Sequence, residues 1–487
     1  MTDKSSAEER PNDLRSALSI AENNGDLIRI ERPLSVHLEL VGEYLKHAGG
    51  TPMPQPTRVG PVVLFENVMR AGSPKGVPYG IQVAVGVVAS RKRVARYFGV
   101  PVEKIPFRML EALQKPVVHK TVSEAPCQEA VIRENINLIE QLPIPTMSYD
   151  SAGPTITEGL MRGVDPETGE GDVTFHRIFI MGRDKITALM GPTRHIKLMQ
   201  LKAEKKNEPF PVSINIGLDP FSTISAGIYP PTGAGVDELD VAGALKGSPV
   251  EVVKCRTVDG EALANAEIVL ECEIQPNETI LEDAKSTRKG WSMPEMAGYV
   301  GVASPSQVLK VKAITHRKKP IFQTLVTPGE EHNIIAGIPC EAEVLGAAYK
   351  TGYTNLLTNV YLSSAGGGKL LGILQTNKQS GHDDAEVRNL ALVAMAAMRE
   401  MKDVIIVDDD VDIWDPMDMW WAFTTRFKPT EDMVVIDQAR SWPGLAEYVQ
   451  TTKAIFDCTI PWSERERMRR PRYMGNPETS NREPLSD

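Results

Sequence analysis

The spacing of hydrophobic and polar positions divides the chain into three stretches. Near the start, "DLRSALSIAENNGDLIRIERPL" predicts a helix capped by Asp13, a stop at Gly25 and then a strand. A mixed α/β domain is expected over 12–125, behind a polar stretch of eleven residues with no structural pattern. From about Val131 the period shortens to two in "FHRIFIMG", "ITALMG", "PVSINIG", "VEVVKCRTV" and "AEIVLECEI", with Arg183-Asp184 and Asp259-Gly260 as turns. So many strands without helices between them predict a central barrel or sandwich, assigned to 126–303. Over 304–462 strands such as "VLKVKAI", "KPIFQTLV" and "DVIIVDDD" alternate with long helical patterns such as Val387 to Lys402, predicting a layered α/β domain. In "DIWDPMDMWWAFTTRF", Asp415 is an expected N-cap and Pro416 the first helical residue. The Arg-, Pro- and Asn-rich residues 463–487 are expected to form a tail or an oligomerisation arm. The expected fold class is α/β (α+β) with several domains.

Composition narrows the function. A net charge of -10 disfavours nucleic acid as a partner, because phosphate binding requires a basic face. Small molecules or proteins are the expected partners. The five cysteines contain no CxxC pair, which excludes a zinc ribbon and points to a reducing compartment. No apolar run approaches the length of a membrane span, and the N-terminus is polar and acidic, so a cytoplasmic location is expected.

The stretch "GDVTFHRIFIMGRDKITALMGPTRHIKLM" concentrates chemistry, with Asp172, His176, Arg177 and His195 in one short unit. Alternation puts Phe175, Arg177 and Phe179 on one face and His176, Ile178 and Ile180 on the other. Arg177 is then either an outward-facing edge residue or a buried anion anchor. With Thr193 as N-cap, His195 falls in the first turn of a helix, where the dipole disfavours imidazolium and leaves a lone pair for a metal. A capping or packing histidine is the alternative. Glu238 follows the Gly-rich run of "TGAGVDELDVAGALKG" at another helix start, where an acid is also explained by the dipole alone. Together, Asp172, His195 and Glu238 form a one-nitrogen, two-carboxylate set suited to Mn²⁺ or Mg²⁺. In "WSMPEMAGYVG", Glu295 stands behind Pro294, and Met293, Met296 and Tyr299 could desolvate it into the range of a general acid; otherwise it is a surface loop acid. "SSAGGGKLLGILQT" lacks the spacing of a phosphate loop, and the GxGxxG, GxSxG and HExxH patterns are absent.

Taken together, these segments resemble the UbiD-type decarboxylases, which use prenylated FMN. The family pattern is an oxygen ligand five positions before an arginine and a histidine eighteen positions after it, and Asp172, Arg177 and His195 match it. "VDELDVAGALKGSPVEVVKC", "VIIVDDDVDIWDPMDMWWAFTTRF" and "PEMAGYVG" resemble its further signatures. The resemblance implies a split β-barrel that binds the modified flavin, with its phosphate held through Mn²⁺ (or Mg²⁺) and a nearby K⁺. By the same resemblance Asp172, His195 and Glu238 would be metal ligands, and Arg194 and Lys378 would serve the cofactor. Arg177 would grip the substrate carboxylate, Glu295 would move the proton, and Glu282 would be the counterpart of a second acid. A flavin prenyltransferase would supply the cofactor, and a homodimer or homohexamer would be the assembly. The implied reaction is reversible, non-oxidative decarboxylation of an aromatic, heteroaromatic or α,β-unsaturated carboxylic acid. A flavin-dependent oxidoreductase on a split barrel and a catalytically silent oligomeric binding protein are the alternatives.

The chain departs from the family in two places. Asp172 stands where asparagine is usual. The two acids, compact in an EGPFGE-like loop elsewhere, are thirteen positions apart here, with Glu282 in "ETILEDAKSTRKG", which reads as a solvated loop.

Overall fold

The computed structural model describes residues 10–48, 59–72, 76–192, 194–228, 237–442 and 452–471. Thr193, the Gly-rich run before Asp237, most of the N-terminal polar stretch and most of the expected arm lie outside the described residues. The chain divides into two compact units, Met1–Ala336 and Gly337–Asp487.

The first unit begins as the pattern predicts. Asp13 caps the helix Leu14–Asn23 and accepts from the Ser16 amide, and Gly25 takes the left-handed φ of 72° that ends the turn. The strand Leu27–Ile30 then pairs with Val62–Phe65, which pairs with Gln82–Val85, which pairs with Ile321–Gln323. Ile321–Gln323 was expected in the C-terminal domain but completes this small sheet.

A nine-stranded antiparallel sheet dominates the unit. Its path runs Gly171–Phe175, Leu160–Val164, Phe210–Ile216, Ile268–Leu281, Pro305–His316, Lys185–Ala188, Ile178–Ile180 and Thr155–Ile156, with Ala130–Ile132 added beside Pro305–His316. Gly171–Phe175 and Ile178–Ile180 are six strand spacings apart along that path, about 29 Å if the sheet were flat. Only His176 and Arg177 join them, and such a link reaches about 11 Å at most. The sheet must therefore curl back on itself into a half-barrel. Ile178, Ile186, Ile214, Leu270 and Leu309 fill its interior, each fully buried.

Three expectations need correction. "FHRIFIMG" is not one strand, because it breaks at His176 and Arg177 where the chain crosses from one end of the sheet to the next-to-last strand at the other. The strand in "VEVVKCRTV", Glu251–Lys254, lies in a separate three-stranded sheet with Lys120–Val122 and Glu261–Leu263. The boundary at 303/304 also fails, since Pro305–His316 is an inner strand of the curled sheet. Alternation reveals which face of a strand is buried but not which strand lies beside it.

In the second unit the sheet order is Leu357–Leu362, Leu371–Thr376, Asp403–Asp408, Lys453–Cys458 and Met433–Ile436. The helix expected at Val387 to Lys402 runs Asp383–Ala397. Asp415 caps Pro416–Arg426 as predicted, accepting from the Met417 amide.

Two buried acids give the first unit a pH signature. Glu331 accepts from the Gly86 and Val88 amides at 2.8 and 2.9 Å, and burial pushes its pKa up to about 7. Glu158 accepts from Gln323 at 2.6 Å while its other oxygen is buried without a partner; burial, and then the charge of Glu331, hold its pKa well above the ordinary range. An acid with a raised folded-state pKa binds its proton more tightly folded than unfolded, so its contribution to stability falls as pH rises above the unfolded value. Each pH unit between the two pKa values removes about 1.4 kcal/mol. Glu158→Gln, neutral at every pH, is therefore expected to melt above the wild type near about pH 8 and to lose that advantage below about pH 5. Thermal unfolding followed across pH measures this, and a constant offset would contradict it.

Candidate active site

The curl of the sheet brings together, from three elements, three side chains able to ligate a metal. Asp172 lies on Gly171–Phe175 opposite Gly163. A Cβ on Gly163 would stand 3.1 Å from Ile196 Cδ1, so the bare position lets Ile196 seat the helix His195–Lys205 against the sheet. His195 is the first residue of that helix, and its Nδ1 is 3.6 Å from Asp172 Oδ1. Glu238 is the first residue of Glu238–Lys246, which is capped by Asp237, and it accepts from the Val173 amide at 3.2 Å. One potential ligand atom from each of Asp172, His195 and Glu238 lies within 4.8 Å of the others. Arg194 and Ile228 help them enclose a cavity of about 10 Å³, the room of a single water-sized species.

The charges call for a cation. Asp172 and Glu238 are both buried, and Asp172 Oδ2 has no hydrogen-bond partner. Burial, then the charges of Asp172 and Asp237, push the Glu238 pKa well above the ordinary range. Two carboxylates and an imidazole around an orphaned oxygen fit a divalent metal such as Mn²⁺ or Mg²⁺. The dipole argument for His195 fails: its pKa is raised, because the bond to Asp172 outweighs burial and the nearby Arg194 charge. His119, Asp237 and Asp240 form a second acidic group, but its charges are already engaged, Asp237 by Arg162 at 2.5 Å and Asp240 by His119 at 2.7 Å.

Arg177 stands at the corner itself. Its Nε and Nη2 donate to the two oxygens of Glu282 at 2.7 and 2.8 Å, its Nη1 donates to Glu295, and Nη2 also reaches the Val302 carbonyl at 3.2 Å. Glu282 is not the solvated acid its neighbours suggest. It is 1% exposed and also accepts from the Ser304 amide at 3.0 Å. The long strand Ile268–Leu281 delivers it to Arg177, and the charged residues beyond it loop outward. Asp283 closes the base of that loop by accepting from the Gly290 amide at 2.6 Å. The chain returns as the hairpin Trp291–Pro294 and Val300–Val302, whose turn carries Glu295 back to the same guanidinium. Gly301 makes room for the contact: a Cβ there would lie 2.9 Å from Glu295 Cγ and 3.2 Å from Arg177 Nη1.

Burial raises the Glu295 pKa, Arg177 pulls it back and Glu282 adds to the rise, for a net increase. Met293 and Met296 are buried as expected, but Tyr299 is 70% exposed and supplies no desolvation. His176 is buried with Nδ1 2.9 Å from the Leu189 carbonyl, and burial lowers its pKa to about 4. Glu282 also lines an open cavity of about 700 Å³ with Phe179, Met181 and Pro154, a volume typical of small-molecule sites. Lys378 lies in the second unit, where its ammonium donates to Asp384, Thr459 and the Ile460 carbonyl. The sequence reading missed Asp237, although an aspartate before a helix start was a visible cap signal, and it missed Arg162 and Gly301, which carry no local signal.

Comparison with known proteins gives this arrangement a family. Residues 18–113, 119–330 and 333–458 match the N-terminal, Rift-related and C-terminal domain models of 3-octaprenyl-4-hydroxybenzoate carboxy-lyase, UbiD. Gallate decarboxylase of Lactiplantibacillus plantarum is 37% identical over 96% of this chain and 98% of its own. The apo crystal structure of the 3,4-dihydroxybenzoic acid decarboxylase AroY from Klebsiella pneumoniae is 38% identical and superposes with a TM-score of 0.87, covering 95% of this chain and 97% of that one. An evolved dimeric form of the UbiD-class enzyme HmfF from Pelotomaculum thermopropionicum, in complex with prFMN, is 30% identical with a TM-score of 0.80, covering 93% and 96%. With all three of its regions matched in order, and relatives of this identity along nearly its whole length, the chain belongs to the UbiD family of carboxy-lyases.

Proposed function

We propose that this chain decarboxylates an aromatic carboxylic acid, reversibly and without net oxidation, on prenylated FMN, and that Arg177 with its two acids handles the carboxylate and the proton. Heteroaromatic and α,β-unsaturated acids fall within the same chemistry. The observation that carries the reading is the pairing of one guanidinium with a buried, fixed acid, Glu282, and a second acid of raised pKa, Glu295. Relatives named for gallate and 3,4-dihydroxybenzoic acid make hydroxylated benzoates the first substrates to test.

Loss of CO₂ from an sp² carbon leaves an electron pair that no side chain can stabilise, and bound prenylated FMN supplies the electron sink. Asp172, His195 and Glu238 would hold Mn²⁺ or Mg²⁺ and, through it, the flavin phosphate, with Arg194 alongside and K⁺ nearby. An aspartate at 172 adds negative charge there, favouring the metal at the expense of the phosphate. A phosphate role for Lys378 would require it to exchange one of its partners. Supply of the cofactor by a flavin prenyltransferase, assembly as a homodimer or homohexamer and a cytoplasmic location belong to the same proposal.

Glu282 holds Arg177 through two parallel bonds, which fixes the plane of the guanidinium. An incoming carboxylate competes with Glu295 for Nη1. Once displaced, Glu295 loses the positive charge that lowers its pKa, so substrate binding favours its protonated form. It then stands ready to protonate the carbon that CO₂ has left.

His195→Ala and Glu238→Ala are expected to lose manganese and flavin together, whereas Arg177→Ala keeps its flavin and loses turnover. Metal and flavin analysis of the purified variants decides this, and normal contents in the first two would refute the ligand set. Glu295→Gln is expected to lower kcat by about 10²–10⁴ and to abolish solvent-deuterium exchange into the product. Retained exchange in that variant would move the proton to another residue.

The rate is expected to fall as pH rises through the raised pKa of Glu295, above the ordinary glutamate range. Glu282→Gln removes a charge that raises that pKa, so it should shift this alkaline limb to lower pH as well as weaken substrate positioning. A limb unmoved in the pH profile of that variant would break the link between the two acids.

A further inference from the structure

Arg162 is 2% exposed and lies on Leu160–Val164, paired in register with Val173. Its Nη1 donates to Asp237 Oδ2 at 2.5 Å and its Nη2 to Glu261 Oε2 at 3.2 Å. The same Asp237 carboxylate uses its other oxygen, Oδ1, to cap the helix by accepting from the Leu239 amide at 2.9 Å. On the other side the guanidinium lies across Gly171, where a Cβ would stand 2.2 Å from Nη1 and 2.3 Å from the central carbon. One buried cation therefore touches the residue before Asp172 and the residue before Glu238.

We infer that Arg162 is a positioning residue for the cation site: by bridging Gly171 and the Asp237 cap, it sets the approach of Asp172 to Glu238 and offsets their crowding with Asp237. The inference rests on the reading that Asp172, His195 and Glu238 hold a divalent metal. Stability alone is a poor reason for this side chain, since a buried guanidinium whose Nε has no partner gains little over an apolar residue of similar size. Its geometry, by contrast, joins two of the three elements that carry ligands. Without it, the Asp237 carboxylate that caps the helix of Glu238 would lose the buried guanidinium that ties it to the strand of Asp172.

The test titrates Mn²⁺ alone into metal-stripped protein, following free Mn²⁺ by electron paramagnetic resonance, for the wild type, Arg162→Lys and Gly171→Ala. Lysine keeps the charge but loses the two-pronged geometry. Alanine at 171 displaces the guanidinium while keeping every charge. Both variants are expected to bind Mn²⁺ about tenfold or more weakly, with metal-free melting temperatures near the wild type and with flavin uptake restored at saturating Mn²⁺. Wild-type affinity in both variants overturns the proposal, and so does a loss of affinity that only tracks a fall in melting temperature. If Arg162→Lys does not fold, Gly171→Ala decides by the same criteria. A wild-type protein that takes up no Mn²⁺ fails the metal reading itself, a result distinct from unaltered variants.

Discussion

Everything in the candidate site depends on a two-residue crossing. His176 and Arg177 connect strands at nearly opposite ends of the curled sheet, and a chain that short permits only one closed shape. The crossing fixes Asp172 on one side of the corner and Arg177 at its turn, so cation chemistry and carboxylate chemistry share one backbone reference. His176, buried and neutral beside the Leu189 carbonyl, fills the inside of the bend where a charged side chain would be costly.

The second organising feature is the uneven treatment of buried negative charge. Glu282 is neutralised by a bidentate guanidinium and a backbone amide, and it serves as a fixed anchor. Among the described residues Asp172 and Glu238 meet no such bidentate cation: Asp172 Oδ2 is left without a partner, and burial, then the charge of Asp172, pushes Glu238 toward its protonated form. Glu295 lies between these extremes, bonded to an arginine yet pushed toward its neutral form by burial. Four acids of nearly identical intrinsic chemistry thus stand in three different environments, set by their neighbours alone.

The sequence disclosed the parts of the site that lie on local elements. Asp172, Arg177 and His195 fall within one short stretch and Glu238 stands at a helix start, so spacing and position reached all four, although the cap expected at Thr193 falls instead on Arg194. Glu282 was misread because its polar neighbours along the chain suggest solvent, whereas burial is set by neighbours in space, here the Arg177 guanidinium and the Ser304 amide. The same limit misplaced Pro305–His316 and Ile321–Gln323, whose alternation is plain but whose partners are decided by closure of the sheet. Arg162 and Gly301 were silent for a related reason: a lone arginine or glycine in a strand has no meaning until the opposing chain is known.

The closed base of the loop after Glu282 separates what the chemistry requires from what the chain can vary. Asp283 bonds the Gly290 amide, and the Ala303 amide bonds the Gly290 carbonyl, so residues 284–289 hang outside a knot that already fixes both acids. Lengthening or recomposing such a loop costs little conformational entropy and leaves the geometry of the acids untouched. The thirteen positions between Glu282 and Glu295 therefore do not keep the two acids apart at Arg177. Lys285 to Arg288 also line the open cavity beside Glu282, so changes in this stretch alter what the cavity presents while the acids keep their place.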